Sequence, residues 1–232
     1  MHVLTLLALA LAPGIAIAVY VYLHDRHERE PFWLLTLSFA YGAFSTLLTL
    51  LFSAPLSLLV SYFHIDSVPD YVSAYFRVAL IEEFCKFILL RFVLYYNRNF
   101  NESFDGIVYA IMVGMGFATA ENIVYVFQYG FATGILRMFT AVPAHAVFAV
   151  LMGYFLGKAK FTHRHTLTYS LMALLSAAAF HGSYDYFWFI SFVPGIWIGA
   201  VLSLVLSFVL GRKAMRLHEQ SSVFIDNGDQ LK

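Results

Sequence analysis

Long apolar segments recur along the chain and are separated by short polar stretches. A segment of about 20 apolar residues crosses a bilayer as an α-helix, because each residue rises about 1.5 Å. No Lys or Arg precedes the first segment, so we interpret it as an uncleaved span rather than a secretory signal. The pattern predicts an all-α polytopic membrane bundle at residues 1–211 and a polar cytoplasmic tail at 212–232. The bundle has about seven transmembrane helices, at approximately 3–23, 32–62, 71–93, 106–129, 138–157, 166–190 and 194–211.

Basic residues are concentrated in alternate loops. Cytoplasmic loops of membrane proteins carry an excess of Lys and Arg. The basic residues after the odd-numbered spans are Arg26, Arg29, Arg98, Lys158, Lys160, Arg164, Arg212, Lys213 and Arg216. The intervening loops hold only Arg137. This alternation predicts that the N-terminus lies outside and the C-terminus lies in the cytoplasm.

The composition agrees with a membrane location. Of 232 residues, 61% are hydrophobic and only 12% are charged, against roughly 45–50% and about 25% in soluble domains. Lys and Arg together number 14, as do Asp and Glu, so the basic surplus of a nucleic-acid binder is absent. We therefore expect a lipid bilayer around the protein and no nucleic-acid partner.

Small residues recur at spacings that favour close helix packing. Gly106, Ala110, Gly114 and Ala118 occupy every fourth position, and Gly153 and Gly157 form a GxxxG pair. Such stripes let helix backbones approach each other within a membrane. We interpret them as packing surfaces.

The third span contains two carboxylates and one lysine. Each ionisable group at the centre of a bilayer costs on the order of 2.5–3.5 kcal/mol on insertion scales, so each demands a reason. Glu82 and Lys86 are one helical turn apart, and Glu83 and Lys86 are three residues apart. One ammonium neutralises one carboxylate and leaves the other without a partner in the motif. That second carboxylate is a candidate general acid or base.

Three further spans carry polar residues that share a depth. By helical rise, the carboxylates and imidazoles lie roughly 10–18 Å below the outer ends of their spans. A charged side chain in contact with lipid is energetically costly, so we expect these helices to face a common cavity in the outer half of the membrane. The residues are Phe117, Glu121 and Asn122 in the fourth span, His145 in the fifth, and His181 and Asp185 in the sixth.

Two kinds of chemistry fit this set. A carboxylate can activate water while imidazoles or amides stabilise the oxyanion. Alternatively, histidines and a glutamate can hold a zinc ion. The compact HExxH signature is absent, so we expect no metal cofactor, with zinc as the alternative. Cys85, the one cysteine, lies away from the helix face of the glutamates.

The motifs resemble a known family. In order, the chain reads Glu82-Glu83-x-x-Lys86, then Asp105-Gly-Ile-Val-Tyr, then Phe117-Ala-Thr-Ala-Glu121-Asn122, and then His145 and His181. This series is similar to the PrsW family of bacterial intramembrane proteases, which is related to the CAAX prenyl endopeptidases. The resemblance implies a multi-pass protein of the bacterial inner membrane that cleaves a single-span membrane protein. The family's best-known role is first-site cleavage of an anti-sigma factor.

The resemblance also implies roles for individual residues. It places the family's functional positions at Glu82, Glu83, Lys86, Phe117, Glu121, His145 and His181. We expect one of Glu82 and Glu83 to activate water, with Lys86 as its charge partner. His145, His181 and Asn122 are then expected to bind or polarise the scissile carbonyl. Asp185 stands where the family often has Asn, so its role as a donor stays open.

Two other classes of function use the same residues. In an ion- or proton-coupled transporter or channel, the glutamates would form the conduction pathway. The chain shows no internal repeat, which argues against a transporter. In a scaffold protein without catalytic activity, the same charged residues would only form ion pairs that hold the helices together.

Overall fold

The computed structural model describes residues 2–24, 29–62, 74–162, 165–190 and 194–220. Their regular structure is entirely helical, which confirms the predicted all-α fold. A π-helical stretch at Ala74–Ala79 leads directly into α3, and a 3₁₀ turn at Leu94–Tyr96 follows that helix. The α-helices are α1 (Val3–His24), α2 (Phe32–Tyr62), α3 (Leu80–Phe92), α4 (Asp105–Tyr129), α5 (Phe131–Phe139), α6 (Ala141–Phe161), α7 (Thr166–Phe189) and α8 (Ile198–Gln220).

Several helix boundaries differ from the sequence prediction: α5 lies mostly in a predicted loop, α6 continues to Phe161, and α8 begins at Ile198. The predicted span at 138–157 is interrupted by Thr140, whose φ of −122° and ψ of −78° are not helical, so that α5 and α6 are separate helices. Helix α8 continues past Gly211 to Gln220 instead of ending there. Residues 71–73 of the third predicted span and residues 221–232 of the predicted tail lie outside the described residues.

Five segments of the described chain are long and apolar enough to cross a membrane. They are Val3–Leu23, Phe32–Leu59, Asp105–Tyr129, Phe131–Phe161 and Ile198–Leu217. Helix α3 has 13 residues and carries charged side chains, and α7 carries polar residues in its C-terminal half. The count of about seven spans and the orientation of the termini stay predictions.

Helix α4 is the centre of the bundle. It packs against α1, α2 and α6, and α6 in turn packs against α7 and α8. Most side chains of α4 are buried, whereas α2 and α8 expose rows of large apolar residues. In water such rows would be a liability, but lipid chains solvate them without cost. The outer helices therefore present the lipid-facing surface that the composition predicted.

The predicted packing of small residues is confirmed between α4 and α6. A Cβ added to Gly106 would lie 2.6 Å from the carbonyl oxygen of Gly153 and 3.0 Å from the amide nitrogen of Gly157. A Cβ on Gly114 would lie 2.9 Å from that of Ala149. The two backbones are in direct contact, and this contact fixes the positions from which both helices extend side chains into the site.

A second group of polar residues occupies the end of the bundle away from the site. Tyr109 donates a hydrogen bond to the buried carboxylate of Glu30. Oδ2 of Asp105 accepts the backbone N–H groups of Asn101 and Glu102, both at 2.8 Å. The sequence prediction assigned these acids no role. Here Asp105 ties the start of α4 to the loop before it, and Glu30 ties the segment before α2 to α4.

Candidate active site

Charged side chains from five helices meet at one end of the bundle. They and a wall of aromatic residues line a cavity of about 420 Å³, called the site cavity below. The carboxylate, imidazole and guanidinium groups that line it are those of Glu82 on α3, Glu121 on α4, Arg137 on α5, His145 on α6, and His181 and Asp185 on α7. The aromatic wall comprises Tyr125, Tyr129, Phe148, Tyr184, Trp188 and Phe189.

Glu83 does not line the site cavity, and one of its carboxylate oxygens contacts two basic side chains. Its Oε1 accepts a hydrogen bond from Lys86 Nζ at 2.7 Å and lies 2.9 Å from His181 Nδ1. Only 1% of the residue is exposed. This carboxylate balances the charge of the buried lysine and holds the ring of His181.

Lys86 is also buried and is surrounded by the expected motif residues. Its Nζ lies 3.8 Å from the centre of the Phe117 ring and 3.2 Å from His145 Nδ1. The ring of Phe117 packs edge-on against His145. Lys86 and Phe117 therefore form the floor that supports the imidazole of His145.

Glu82 differs from its neighbour. It faces the site cavity, and its Oε2 is buried without a hydrogen-bond partner. The nitrogen atoms Lys86 Nζ and His181 Nε2 both lie 3.9 Å from this oxygen, beyond hydrogen-bond distance. A buried acceptor without a donor is costly, so this oxygen is the position where a ligand or a water is expected.

The partners of His145 determine its tautomer. Its Nε2 lies 3.0 Å from Glu121 Oε2, and a carboxylate can only accept, so Nε2 carries the proton. Nδ1 then accepts from the ammonium of Lys86. Both ring nitrogens are thereby used within the protein, and the ring has one defined orientation.

His181 lies between three carboxylates. Besides the contact with Glu83, its Nε2 is 3.4 Å from Asp185 Oδ2, the partner expected one helical turn away. Its ring stacks on Phe148 at 5.1 Å between centroids, and His145 approaches it edge-on. Stacking and hydrogen bonding together aim Nε2 at the site cavity beside Glu82.

Asn122 is placed apart from the other sequence-predicted residues. It is fully buried and does not line the site cavity. Its Nδ2 donates to the carbonyl of Ala10 on α1 at 3.1 Å, and its Oδ1 accepts from Arg137 Nε at 3.0 Å. Both polar atoms of the amide therefore serve contacts between helices.

Sequence reasoning missed Arg137 and the aromatic wall. Arg137 Nη2 forms a 2.8 Å ion pair with Glu121, which is 16 residues earlier on another helix. No local spacing links these two residues, and the sequence analysis treated Arg137 only as a loop charge. The aromatic residues were indistinguishable from the other apolar positions of their helices.

The site has an excess of negative charge. Around the site cavity, the carboxylates of Glu82, Glu83, Glu121 and Asp185 outnumber the two side-chain cations, Lys86 and Arg137, by two. Ligand atoms of Glu82, His145 and His181 lie within 4.8 Å of one another, close enough to hold a metal ion. Glu82, which carries the orphaned Oε2, is one of these three residues. Imidazole and carboxylate are ligands that suit Zn²⁺, so the residues fit a divalent cation.

These features define an all-helical protein with membrane-spanning segments and a buried cavity lined by carboxylates and imidazoles. No Ser or Cys is among the described residues that line the site cavity, and Cys85 is buried outside it. The chain belongs to the PrsW family of intramembrane metalloproteases, whose family model matches residues 30–211.

Individual relatives agree with this assignment. A protein named Protease PrsW from Oceanobacillus iheyensis is 39% identical over 158 residues, which is 68% of this chain and 71% of the relative. Another protein of the same name, from Clostridioides difficile, is 31% identical over 211 residues, 88% of this chain and 87% of the relative. A third, from Bacillus subtilis, is 30% identical over 167 residues, 71% and 73% of the two chains. No solved structure matches the chain.

The family places the protein in a functional class. It is a protease, a multi-pass protein of a bacterial membrane, and it acts on a membrane protein. The resemblance drawn from the motifs is thereby confirmed.

Proposed function

We propose that the protein hydrolyses a peptide bond of a single-span membrane protein near its extracytoplasmic side. First-site cleavage of an anti-sigma factor is the physiological reaction of this type that we propose. The observation that carries the proposal is the buried, unpartnered Oε2 of Glu82, which faces a cavity between two histidines. A substrate peptide bond must leave its helix before attack, because helical carbonyls are occupied by hydrogen bonds.

Glu82, rather than Glu83, is our choice for the carboxylate that activates water. The acceptor atom Oε2 of Glu82 is available to a water in the site cavity, whereas Oε1 of Glu83 already contacts Lys86 and His181. A carboxylate that takes the proton of an attacking water contributes typically 10²–10⁴-fold to a rate, by order of magnitude. Lys86 then acts on Glu83 and on His145, not as the direct partner of the base.

His181 is our choice for polarising the scissile carbonyl. With Nδ1 directed at Glu83 and Nε2 directed at Asp185, an N–H on each nitrogen would make the ring an imidazolium. Such a cation beside the site cavity stabilises the negative charge that develops on the carbonyl oxygen. Asn122 is not assigned this role because its amide is fully used between α1 and α5.

A metal ion is the second arrangement that we propose, in place of the expected absence of a cofactor. Glu82, His145 and His181 would hold the ion, and when bound it would act as a Lewis acid toward water and the scissile carbonyl. Its two positive charges would offset the excess negative charge of the site. In this arrangement His181 is a neutral ligand and His145 would give up its contact with either Lys86 or Glu121, so the two arrangements exclude each other at both rings.

The proposed reaction is tested by expressing the protein in cells with a single-span reporter that carries a different tag at each end. Wild-type protein is expected to produce two fragments whose sizes place the cut at the extracytoplasmic end of the span. Glu82→Gln is expected to abolish the fragments. Glu102→Gln, at another buried glutamate away from the site, serves as the control. Intact reporter with the wild type, together with proton uptake into sealed vesicles, would support the transporter instead.

The metal is tested by elemental analysis of purified protein. If Glu82, His145 and His181 hold zinc, wild-type protein and Glu121→Gln retain about one ion per chain, while His181→Ala and Glu82→Gln lose it. Zinc retained by Glu82→Gln would exclude this glutamate as a ligand. It would leave proton transfer from water as the role of Glu82.

A further inference from the structure

The short helix α5 contributes one side chain to the charged network, and no proposed catalytic step uses it. Arg137 lies on the last turn of α5, and of the described residues that line the site cavity it is the one Lys or Arg. Its side chain connects α5 to α4, because Nη2 donates to Glu121 Oε2 at 2.8 Å and Nε donates to Asn122 Oδ1 at 3.0 Å.

The guanidinium is held on three sides by α4. Besides Glu121 and Asn122, the ring of Tyr125 lies 4.0 Å from Arg137 Cζ, one helical turn after Glu121. The amide of Asn122 cannot rotate away, because its Nδ2 is bound to the carbonyl of Ala10. A planar group with donors in a fixed fork, stacked on a ring, has little freedom to move.

The position of α5 itself is also fixed. The helix begins after Gly130, whose φ of +85° favours glycine, and it ends at the non-helical Thr140. Gly134 is buried against α1, where an added Cβ would lie 2.9 Å from Leu9 Cγ and 2.9 Å from Val126 Cγ2. Helix α5 is thus held against α1 and α4, and it carries Arg137 to one defined place.

The same oxygen of Glu121 that accepts from Arg137 also contacts His145. Oε2 receives Arg137 Nη2 at 2.8 Å and His145 Nε2 at 3.0 Å. With Arg137 removed, the carboxylate could rotate away from the imidazole, and Nε2 would lose its defined partner. The orientation of His145 therefore depends on a residue that does not touch it, while the ammonium of Lys86, which can only donate to Nδ1, keeps the ring proton on Nε2.

We infer that Arg137 is a positioning residue of the protease: it fixes Glu121, and through Glu121 it sets the orientation of His145. The inference rests on the proposed role of the site cavity in peptide hydrolysis. It assigns α5 a function in catalysis beyond connecting two membrane helices.

The test compares cleavage by reconstituted wild-type protein, Arg137→Met and Arg137→Lys. Misplacement of a catalytic group by about 1 Å can cost on the order of 10²-fold, so we expect Arg137→Met to lower kcat about 30-fold and to change KM by less than about twofold. Arg137→Lys keeps a charge near Glu121 but not the fork, and should recover about a third of the lost activity on a logarithmic scale.

Arg91 provides the matched control. It also bridges elements, with Nε donating to Ser170 at 3.2 Å and Nη1 donating to Tyr96 at 2.9 Å, and its guanidinium lies over Tyr95. It follows Glu82 by about 13 Å of helix and does not line the site cavity. Arg91→Met should keep kcat within about twofold of wild type once the amount of folded protein is matched. An equal loss of kcat in both Met variants, or a change in KM alone, would overturn the inference.

A spectroscopic measurement keeps the test independent of cleavage. In protein labelled with ¹⁵N-histidine, the His145 signals are assigned by their absence in His145→Gln. We expect the proton to stay on Nε2 in both proteins, because Lys86 donates to Nδ1, and we expect the Nε2–H resonance of His145, shifted in wild type by its hydrogen bond to Glu121, to move in Arg137→Met. An unchanged Nε2–H resonance in Arg137→Met would refute the positioning role, even if proteolysis itself is established by the Glu82→Gln comparison.

Discussion

Glu82 and Glu83 are adjacent in sequence and have opposite surroundings. Glu83 is paired with Lys86 at 2.7 Å, while Glu82 leaves an oxygen without a hydrogen bond in the site cavity. Glu83 pairs with the charge of Lys86 and stabilises the fold, whereas Glu82 has an oxygen that is available to the substrate. We therefore expect substitution of Glu83 to lower the stability of the protein and substitution of Glu82 to lower its activity.

Stability provides the first prediction. Glu83→Leu leaves the buried ammonium of Lys86 without its carboxylate, and breaking a buried pair costs about 3–5 kcal/mol. Glu82→Leu removes no hydrogen bond at Oε2 and should change the free energy of unfolding by less than about 1 kcal/mol. Thermal or denaturant unfolding in detergent measures both. Equal stability of the two variants would contradict the assigned division of roles.

At the scale of the element, the contact between α4 and α6 sets the geometry of the site. The two helices carry Glu121 and His145, and they touch where Gly106 meets Gly153. A Cβ on Gly153 would lie 2.6 Å from Ile107 Cα, a backbone atom that cannot move aside. The distance between Glu121 and His145 therefore depends on a glycine far along the helix from either.

The second prediction concerns this contact. Gly153→Ala should force the helices apart, lower the free energy of unfolding by about 1–3 kcal/mol and reduce cleavage. Gly211→Ala is the control, because its added Cβ would meet Val150 at an ordinary 3.5 Å. Unfolding and cleavage are measured on both variants. Wild-type behaviour of Gly153→Ala would refute the account of helix packing.

The sequence predicted most of the helices but not the break within one of them. Residues 131–161 form one continuous apolar run, so hydropathy does not mark Thr140 as the end of α5. The break is a property of the backbone at a single residue. Arg137 lies on the separate helix α5, whereas the sequence prediction began the fifth span at residue 138 and so left this arginine in a loop.

Which residues line the site cavity was easier to predict than which side chains contact one another. The cost of burying charge in a membrane implied that Glu82, Glu121, His145 and His181 share a cavity, and the structure brings them together. Which atoms pair depends on side-chain directions set by the packing of several helices. The engagement of Asn122 with Ala10, 112 residues away in sequence, has no local signal at all.

For the whole molecule, the third prediction is the orientation in the membrane. Cys85 is fully buried, so it gives a low background for labelling with a membrane-impermeant maleimide. His2→Cys and Arg216→Cys introduce thiols at exposed positions near opposite ends of the chain. If basic loops stay inside, His2→Cys reacts in intact cells and Arg216→Cys reacts only after permeabilisation. The reverse pattern would contradict the predicted topology and place the site cavity at the cytoplasmic side.

The central claim is that the protein is a protease whose Glu82 carboxylate activates the water that attacks the substrate in the site cavity. It is tested most directly by purifying wild-type protein, Glu82→Gln and Glu102→Gln, reconstituting each in lipid vesicles with a single-span substrate, and measuring fragment masses over time. We expect wild type and Glu102→Gln to cleave at rates within about threefold of each other, and Glu82→Gln to cleave at least about 100-fold more slowly while remaining folded. Cleavage by Glu82→Gln at the wild-type rate would contradict the account.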